Sequence, residues 1–180
     1  MQEIHTLCVY CGASSGRDSM FTEHARAFGA ACAARGLGIA FGAGGIGLMG
    51  TVAEAALAGG GRVVGVIPRA LESEIPATGL TELIVVDDMH ARKRKMFELA
   101  DAFVSLPGGL GTLDETVEMV TWRQLGLHDK PIVLANCGGY WDPLVSLFDH
   151  VVATGFAHGD AADLYTVAPS IQGVFDALGV

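Results

Sequence analysis

Short apolar runs of strand length recur along the chain, separated by longer segments whose apolar positions follow a helical period. The strand-length runs are Ile4–Cys11, Leu37–Phe41, Arg62–Ile67, Glu82–Val86, Ala102–Leu106, Pro131–Ala135 and Leu164–Val167. Between them the pattern predicts helices over Ser19–Arg35, Gly47–Ala58, Met89–Ala100, Leu113–Leu125, Asp142–Thr154 and Ser170–Leu178. Strands that are apolar throughout, and that alternate with helices, belong to a parallel sheet covered on both faces. The expected fold is therefore α/β: a Rossmann-like, doubly wound, mainly parallel sheet with helices on both faces. A single domain over residues 1–180 accommodates it. The pattern leaves strand order open.

Such a sheet binds ligands beyond the carboxyl ends of its strands, where loops enter helix N-termini. Three of those loops are rich in glycine: Gly12–Gly16, Gly42–Gly47 and Pro107–Thr112. Glycine lets backbone N–H groups approach a phosphate closely, so three such loops on one sheet edge point to a shared anionic pocket. Gly12, Ser14, Gly44, Gly45 and Gly108 are its candidate lining residues.

Composition narrows the function classes. The 180 residues carry 11 Lys+Arg against 20 Asp+Glu, a formal charge of −9. An acidic chain of pI near 4.9 is poorly suited to nucleic-acid polymers, because phosphate repulsion must be overcome locally. Hydrophobic residues reach 51%, which argues against disorder. The longest apolar runs fall far short of the roughly 20 residues a bilayer needs, so no membrane partner is expected. No basic segment followed by an apolar one opens the chain, and a cytoplasmic location is expected. Cys8 and Cys11 form a C-x-x-C, but inside a strand-like run and without a second pair for zinc. The four cysteines are expected to be reduced thiols, and the six histidines show no metal-ligand spacing.

Individual motifs carry competing readings. Gly42-Ala-Gly-Gly-Ile-Gly47 matches the dinucleotide pattern G-x-G-x-x-G, yet the next strand ends in Pro68-Arg69 with no acid for a ribose hydroxyl. Arg69 suits a 2′-phosphate, which keeps an NADP-dependent oxidoreductase in view; tight helix–sheet packing is the plainer account of these glycines. Pro107-Gly-Gly-Leu-Gly-Thr-Leu-Asp-Glu115 offers N–H groups and the Thr112 hydroxyl to an anion at a helix start. Thr112-x-x-Glu115 also reads as a capping box, with Thr112 at the N-cap and Glu115 at N3. A pocket holding both phosphate and carboxylate suits a ribosyl 5′-phosphate that leaves its base through an oxocarbenium-like transition state. In the basic run Arg92-Lys-Arg-Lys95, at about 100° per residue, Arg92 and Lys93 border the apolar face set by Met89 and Met96. Arg94 and Lys95 face solvent on the same wheel. A guanidinium beside an apolar face needs a partner, and a phosphate, a ribose hydroxyl or Glu115 would serve. Ser14 and Ser15 have no histidine base nearby in sequence, so loop contacts fit them better than nucleophilic catalysis. Val117, Val120, Thr121 and Gln124 form a mixed helix face suited to a second subunit.

The stretch Pro107–Glu115 resembles the P-G-G-x-G-T-x-x-E motif of the LOG ("Lonely Guy") family of cytokinin riboside 5′-monophosphate phosphoribohydrolases, with an R-K pair starting 23 residues before its glutamate. Cys8-Val-Tyr-Cys-Gly-Ala-Ser-Ser-Gly16, Gly47-Leu-Met-Gly50, Gly65-Val-Ile-Pro68, Met89-His-Ala-Arg-Lys93, Asp101-Ala-Phe103 and Leu125-Gly-Leu-His-Asp-Lys-Pro131 recur in that family in the same order. The resemblance implies hydrolysis of the N-glycosidic bond of AMP or an N6-substituted adenosine 5′-monophosphate, giving free base and ribose 5-phosphate without a metal or cofactor. It implies Arg92 and Glu115 as the catalytic pair. Lys93, Gly109, Leu110, Gly111, Thr112, Thr121 and Glu74 match nucleotide- or substrate-binding positions. It also implies a homodimer with the pocket near the subunit interface. Ala43 departs from the pattern, standing where many members have glycine; only local loop shape should feel it.

On these expectations Arg92 holds Glu115 anionic, and Lys93 lies beside the phosphate. Two other classes stay open: a non-catalytic nucleotide or cofactor carrier, and the NADP-dependent oxidoreductase. A decarboxylase with pyridoxal phosphate would need one of Lys93, Lys95 or Lys130.

Overall fold

The computed structural model describes residues 3–74, 79–157 and 163–180, the side chains of Ser73 and Glu74 excepted. Seven strands are present: β1 (Thr6–Tyr10), β2 (Gly38–Phe41), β3 (Val63–Pro68), β4 (Glu82–Val86), β5 (Ala102–Ser105), β6 (Ile132–Ala135) and β7 (Thr166–Ala168). Six α-helices join them: α1 (Ser19–Ala34), α2 (Gly47–Ala58), α3 (Met89–Leu99), α4 (Leu110–Gln124), α5 (Asp142–Ala153) and α6 (Ile171–Leu178). The strands form one parallel sheet in the order β4-β3-β2-β1-β5-β6-β7. This is the doubly wound, Rossmann-like arrangement, and every predicted strand is present within a few residues of its expected bounds.

Burial on both faces explains the continuous apolar strands. Leu7, Val9 and Cys11 face one core, shared with Phe28, Phe41, Val52 and Phe175 from α1, β2, α2 and α6. Cys8 and Tyr10 face the opposite core, with Met96, Phe103, Met119 and Trp141. The strand pleat thus sends the two cysteines of the C-x-x-C to opposite sides of the sheet. Both thiols are fully buried and pushed upward by desolvation, so neither is a thiolate at neutral pH.

Strand order reverses between β1 and β5, the position where open sheets of this type form a ligand crevice. Tyr10 pairs with Ser105 across that boundary, so the chain leaves both strands side by side. The Leu106 N–H donates to Tyr10 O at 2.9 Å and the Gly12 N–H to Pro107 O at 3.0 Å. The first and third glycine-rich loops are therefore stitched together at the crevice floor.

Candidate active site

The loop after β1 reaches Gly12 and there meets both other glycine-rich loops. Its carbonyl accepts from the N–H groups of Leu48 and Met49 at 3.0 and 3.2 Å, which closes the start of α2. Gly47, at φ 63°, packs against the Ala13 backbone with no room for a side chain. A Cβ on Gly108 would fall on Thr112 Oγ1 and press on Gly12 N. The Gly12 N–H and C=O are thus spent on the fold, and this residue supports the cleft from beneath. Gly44 and Gly45 also have packing roles, against Met49 and Gly50 respectively. Two N–H groups at the start of α2, those of Leu48 and Met49, are thus held by the Gly12 carbonyl and are not offered to a dinucleotide pyrophosphate. Ala43 is buried at φ 59°, a left-handed backbone that glycine adopts more easily, so its departure from the family pattern strains the loop locally.

The start of α4 corrects the capping-box reading. The helix begins at Leu110 with Gly109 as N-cap and no side-chain hydrogen bond at that cap. Thr112 therefore lies inside the first turn and Glu115 in the second, so neither caps the helix. Among the described residues no side chain caps this first turn, and Gly109, Gly111 and Thr112 line the crevice. Deeper in α4, Thr116 Oγ1 donates to Thr112 O at 2.6 Å and shares a 2.7 Å hydrogen bond with Ser105 Oγ. The Trp141 indole donates to Ser105 O at 3.0 Å, and the Tyr140 hydroxyl donates to Gly108 O. These buried bonds lock the turn that presents Gly109–Thr112.

Two adjoining hollows result. The larger, about 440 Å³, is lined by Cys11, Ala13, Ser14, Met49, Met89, Arg92, Gly109, Gly111, Thr112, Asp114 and Glu115. The smaller, about 160 Å³, is lined by Ser14, Ser15, Gly16, Phe21, Leu48, Pro107, Gly108, Gly109 and Tyr140. Ser14 and Gly109 border both, so the two are continuous. Residue-by-residue reading missed the walls formed by Met49, Met89, Phe21 and Tyr140. Met49 and Met89 stand in motifs shared with the family, but nothing local to Phe21 or Tyr140 indicates a site.

Arg92 enters the larger hollow from α3. Its seat is Gly42, where a Cβ would coincide with the guanidinium. Arg92 Nη2 lies 3.8 Å from Glu115 Oε1, an ion pair too long for a hydrogen bond, with both side chains 12% exposed. Among the described residues its Nε is buried without a hydrogen-bond partner, and Nη1 reaches the Met89 sulfur at 3.8 Å. A buried guanidinium this poorly satisfied is prepared for an anionic or hydroxyl-bearing ligand. Burial lifts the Glu115 carboxyl to about 7, outweighing the opposing pull of Arg92. The expectation of a permanently anionic Glu115 is therefore corrected: desolvation dominates over a 3.8 Å pair.

The remaining candidates lie elsewhere. Lys93 Nζ sits 3.1 Å from Asp114 Oδ2 and 3.1 Å from Glu118 Oε2. It joins α3 to α4 through these two carboxylates. Lys95 pairs with Glu98 at 3.5 Å, while Lys130 donates to Phe97 O and stacks on the Phe97 ring. Each of these three amines is engaged by a protein carboxylate or carbonyl, which leaves a pyridoxal-dependent chemistry without a free one. Thr121 is exposed on α4 and donates to Val117 O at 2.7 Å; Leu110 is 85% exposed. The Glu74 side chain lies outside the described residues.

Comparison with known proteins accords with this geometry. The family described as "possible lysine decarboxylase" matches residues 49–178. A probable cytokinin riboside 5′-monophosphate phosphoribohydrolase of Oryza sativa subsp. japonica is 45% identical over 165 residues, 91% of this chain and 74% of that one. The cytokinin riboside 5′-monophosphate phosphoribohydrolase of Rhodococcoides fascians is 45% identical over 175 residues, 96% of this chain and 88% of that one. An Arabidopsis thaliana enzyme of that name is 42% identical over 167 residues, 92% of this chain and 78% of that one. Among solved structures, the molybdenum cofactor binding protein of Rippkaea orientalis superposes with TM-score 0.74 at 17% identity, covering 99% of this chain and 98% of that one. The molybdenum cofactor carrier protein of Chlamydomonas reinhardtii gives 0.73 at 20%, covering 98% and 97%. These last two share the fold. No helix among the described residues is long and apolar enough to cross a membrane. With its sheet order and close relatives in hand, the chain belongs to the LOG family of cytokinin riboside 5′-monophosphate phosphoribohydrolases.

Proposed function

We propose that this chain hydrolyses the N-glycosidic bond of an adenosine 5′-monophosphate, plain or N6-substituted, releasing the free base and ribose 5-phosphate. The observation that carries the reading is the Arg92–Glu115 pair, buried and loosely joined beside the uncapped start of α4. The names of the relatives support the same activity.

In this scheme the first-turn N–H groups of α4 and Thr112 hold the 5′-phosphate, with Ser14 on the facing loop. Met49 and Met89 give the purine an apolar wall. As the C1′–N bond lengthens, positive charge grows on the ribose, and the Glu115 carboxylate stabilises it. The base leaves with the bonding electrons and is protonated by solvent water, while a second water adds to C1′ and gives up a proton to Glu115, which returns it to solvent. A carboxyl that titrates near neutral pH is suited to receive and return that proton. Arg92 orients Glu115 and meets ribose or phosphate oxygens with its guanidinium, which lines the same hollow. The scheme requires no metal or organic cofactor. A homodimer completes the picture: α4 and α5 enclose an apolar groove of about 330 Å³ lined by Val117, Val120, Leu147, Phe148 and Val151. Thr121 borders the same groove and would act there.

Chromatographic detection of free base from AMP and isopentenyladenosine monophosphate tests the assignment. Glu115→Gln is expected to keep AMP binding and lose most turnover, a fall of about a hundredfold or more. Base release by that variant at the wild-type rate removes the role given to Glu115. AMP binding with no adenine freed over hours by the wild type makes the chain a carrier.

A further inference from the structure

The Arg92 guanidinium is shared between a carboxylate and a sulfur. Its Nη1 donates to the Met89 thioether at 3.8 Å, one turn back along α3, while Nη2 stands 3.8 Å from Glu115 Oε1. A thioether is a weak acceptor, so this contact holds the guanidinium loosely. Met89 also opens to solvent: 42% of its surface is exposed, and it lines the larger hollow with Met49. The other described methionines are better shielded. Met96 and Met119 are buried in the core, and Met20 and Met49 are half-buried. All four cysteines are buried, and burial raises their thiols above the ordinary range, so none competes as an exposed thiolate. Met89 also lies outside the apolar groove assigned to a second copy.

We propose that Met89 is a site of reversible oxidation, taking its oxygen from hydrogen peroxide, and that the resulting sulfoxide captures Arg92 and weakens ligand binding in the cleft. The proposal rests on Arg92 as the residue that meets ribose or phosphate oxygens. In the step a sulfur lone pair attacks one peroxide oxygen, the O–O bond breaks, and the departing hydroxide takes up a proton to become water. The sulfur loses two electrons and the peroxide gains them. The product replaces a weak acceptor with a strongly polar S=O group at the same place. An oxygen on that sulfur falls within hydrogen-bonding reach of Nη1, since the sulfur itself stands only 3.8 Å away. A charge-assisted bond there competes with Glu115, whose own 3.8 Å approach is too long for a hydrogen bond. The sulfoxide also puts a polar group into the apolar wall that Met49 and Met89 give the purine. Both changes act against ligand binding, and a methionine sulfoxide reductase with a thiol reductant reverses them.

Limited hydrogen peroxide treatment of the wild-type protein, followed by peptide mass spectrometry, tests the site. One added oxygen is expected on Met89 before Met20 or Met49. Calorimetry should then show AMP and ribose 5-phosphate each binding about fivefold or more weakly, with kcat/KM for base release falling at least as far. Reductase treatment restores all three. Met89→Leu cannot form the sulfoxide, so the same peroxide should leave its binding and turnover within about twofold of its own untreated values. Faster oxidation at Met20 or Met49 overturns the proposal, and so does an equal loss in treated Met89→Leu. Unchanged ribose 5-phosphate binding in the Met89-oxidised wild type also overturns it, because that ligand has no base to meet the methionine wall and reports on Arg92. Reversal by the reductase in wild-type protein keeps the question decidable if Met89→Leu does not fold. A wild type that binds AMP but frees no base defeats the hydrolase reading, while the calorimetric comparison still decides this one.

Discussion

At the residue scale, Glu115 is a buried acid held where its charged form is costly. Its carboxyl titrates at about 7 in the folded protein against an ordinary 4.5. The native state therefore binds the proton more tightly than the unfolded chain between those values, and stability falls as pH rises through that window. The loss amounts to on the order of 3 kcal/mol, complete above the folded value. Glu115→Gln cannot ionise, so its unfolding free energy should lose this slope and exceed that of the wild type at pH 8 but not at pH 4. Denaturant titration of both proteins at the two pH values measures it, and parallel pH dependences would contradict the assigned burial cost. The sequence places Glu115 just after the glycine-rich loop Pro107–Thr112. It does not reveal burial, which depends on how α3, α4 and β1 close around the carboxyl.

At the element scale, α4 shows how a neighbour decides what a local pattern leaves open. Thr112-x-x-Glu115 satisfies the capping-box rule, yet the helix starts a turn earlier at Leu110. Thr112 is drawn inside by packing against Gly108, and the Thr116–Ser105 bond ties the next turn to β5. Local sequence contains both options; the strand end selects one. Gly42 is a second case. Within its own loop it looks like part of a dinucleotide motif, whereas in the fold it vacates space for the guanidinium of Arg92 from α3. Gly42→Ala should accordingly displace Arg92, lowering kcat/KM for base release by about tenfold or more while leaving the fold intact by circular dichroism. Wild-type kinetics in that variant would show that Arg92 does not depend on this seat. The wheel of α3 was more legible: Arg92 and Lys93 are largely buried and Arg94 is exposed, as the period requires, while Lys95 is half-buried beside Glu98 and Lys93 pairs with Asp114 and Glu118.

At the scale of the whole molecule, the apolar groove between α4 and α5 and the exposure of Leu147 and Val117 leave a hydrophobic face suited to a second copy. The proposed homodimer predicts a dimer mass for the wild type in sedimentation experiments and a monomer mass when Val117 and Leu147 are both replaced by glutamate; a monomeric wild type overturns the dimer, and a dimeric double variant overturns this interface. The sequence by itself determined the alternation of strands and helices, because burial on both faces requires continuous apolar strands and that composition is local. It also determined which residue types stand at the carboxyl edge, since each glycine-rich loop directly follows a strand. Tertiary structure alone decided the order β4-β3-β2-β1-β5-β6-β7, which brings the loops after β1 and β5 together. It also decided which glycines serve a cleft, which serve packing, and which of two adjacent cations meets Glu115. Those outcomes depend on contacts between segments far apart in the chain, where desolvation, excluded volume and charge pairing act through space.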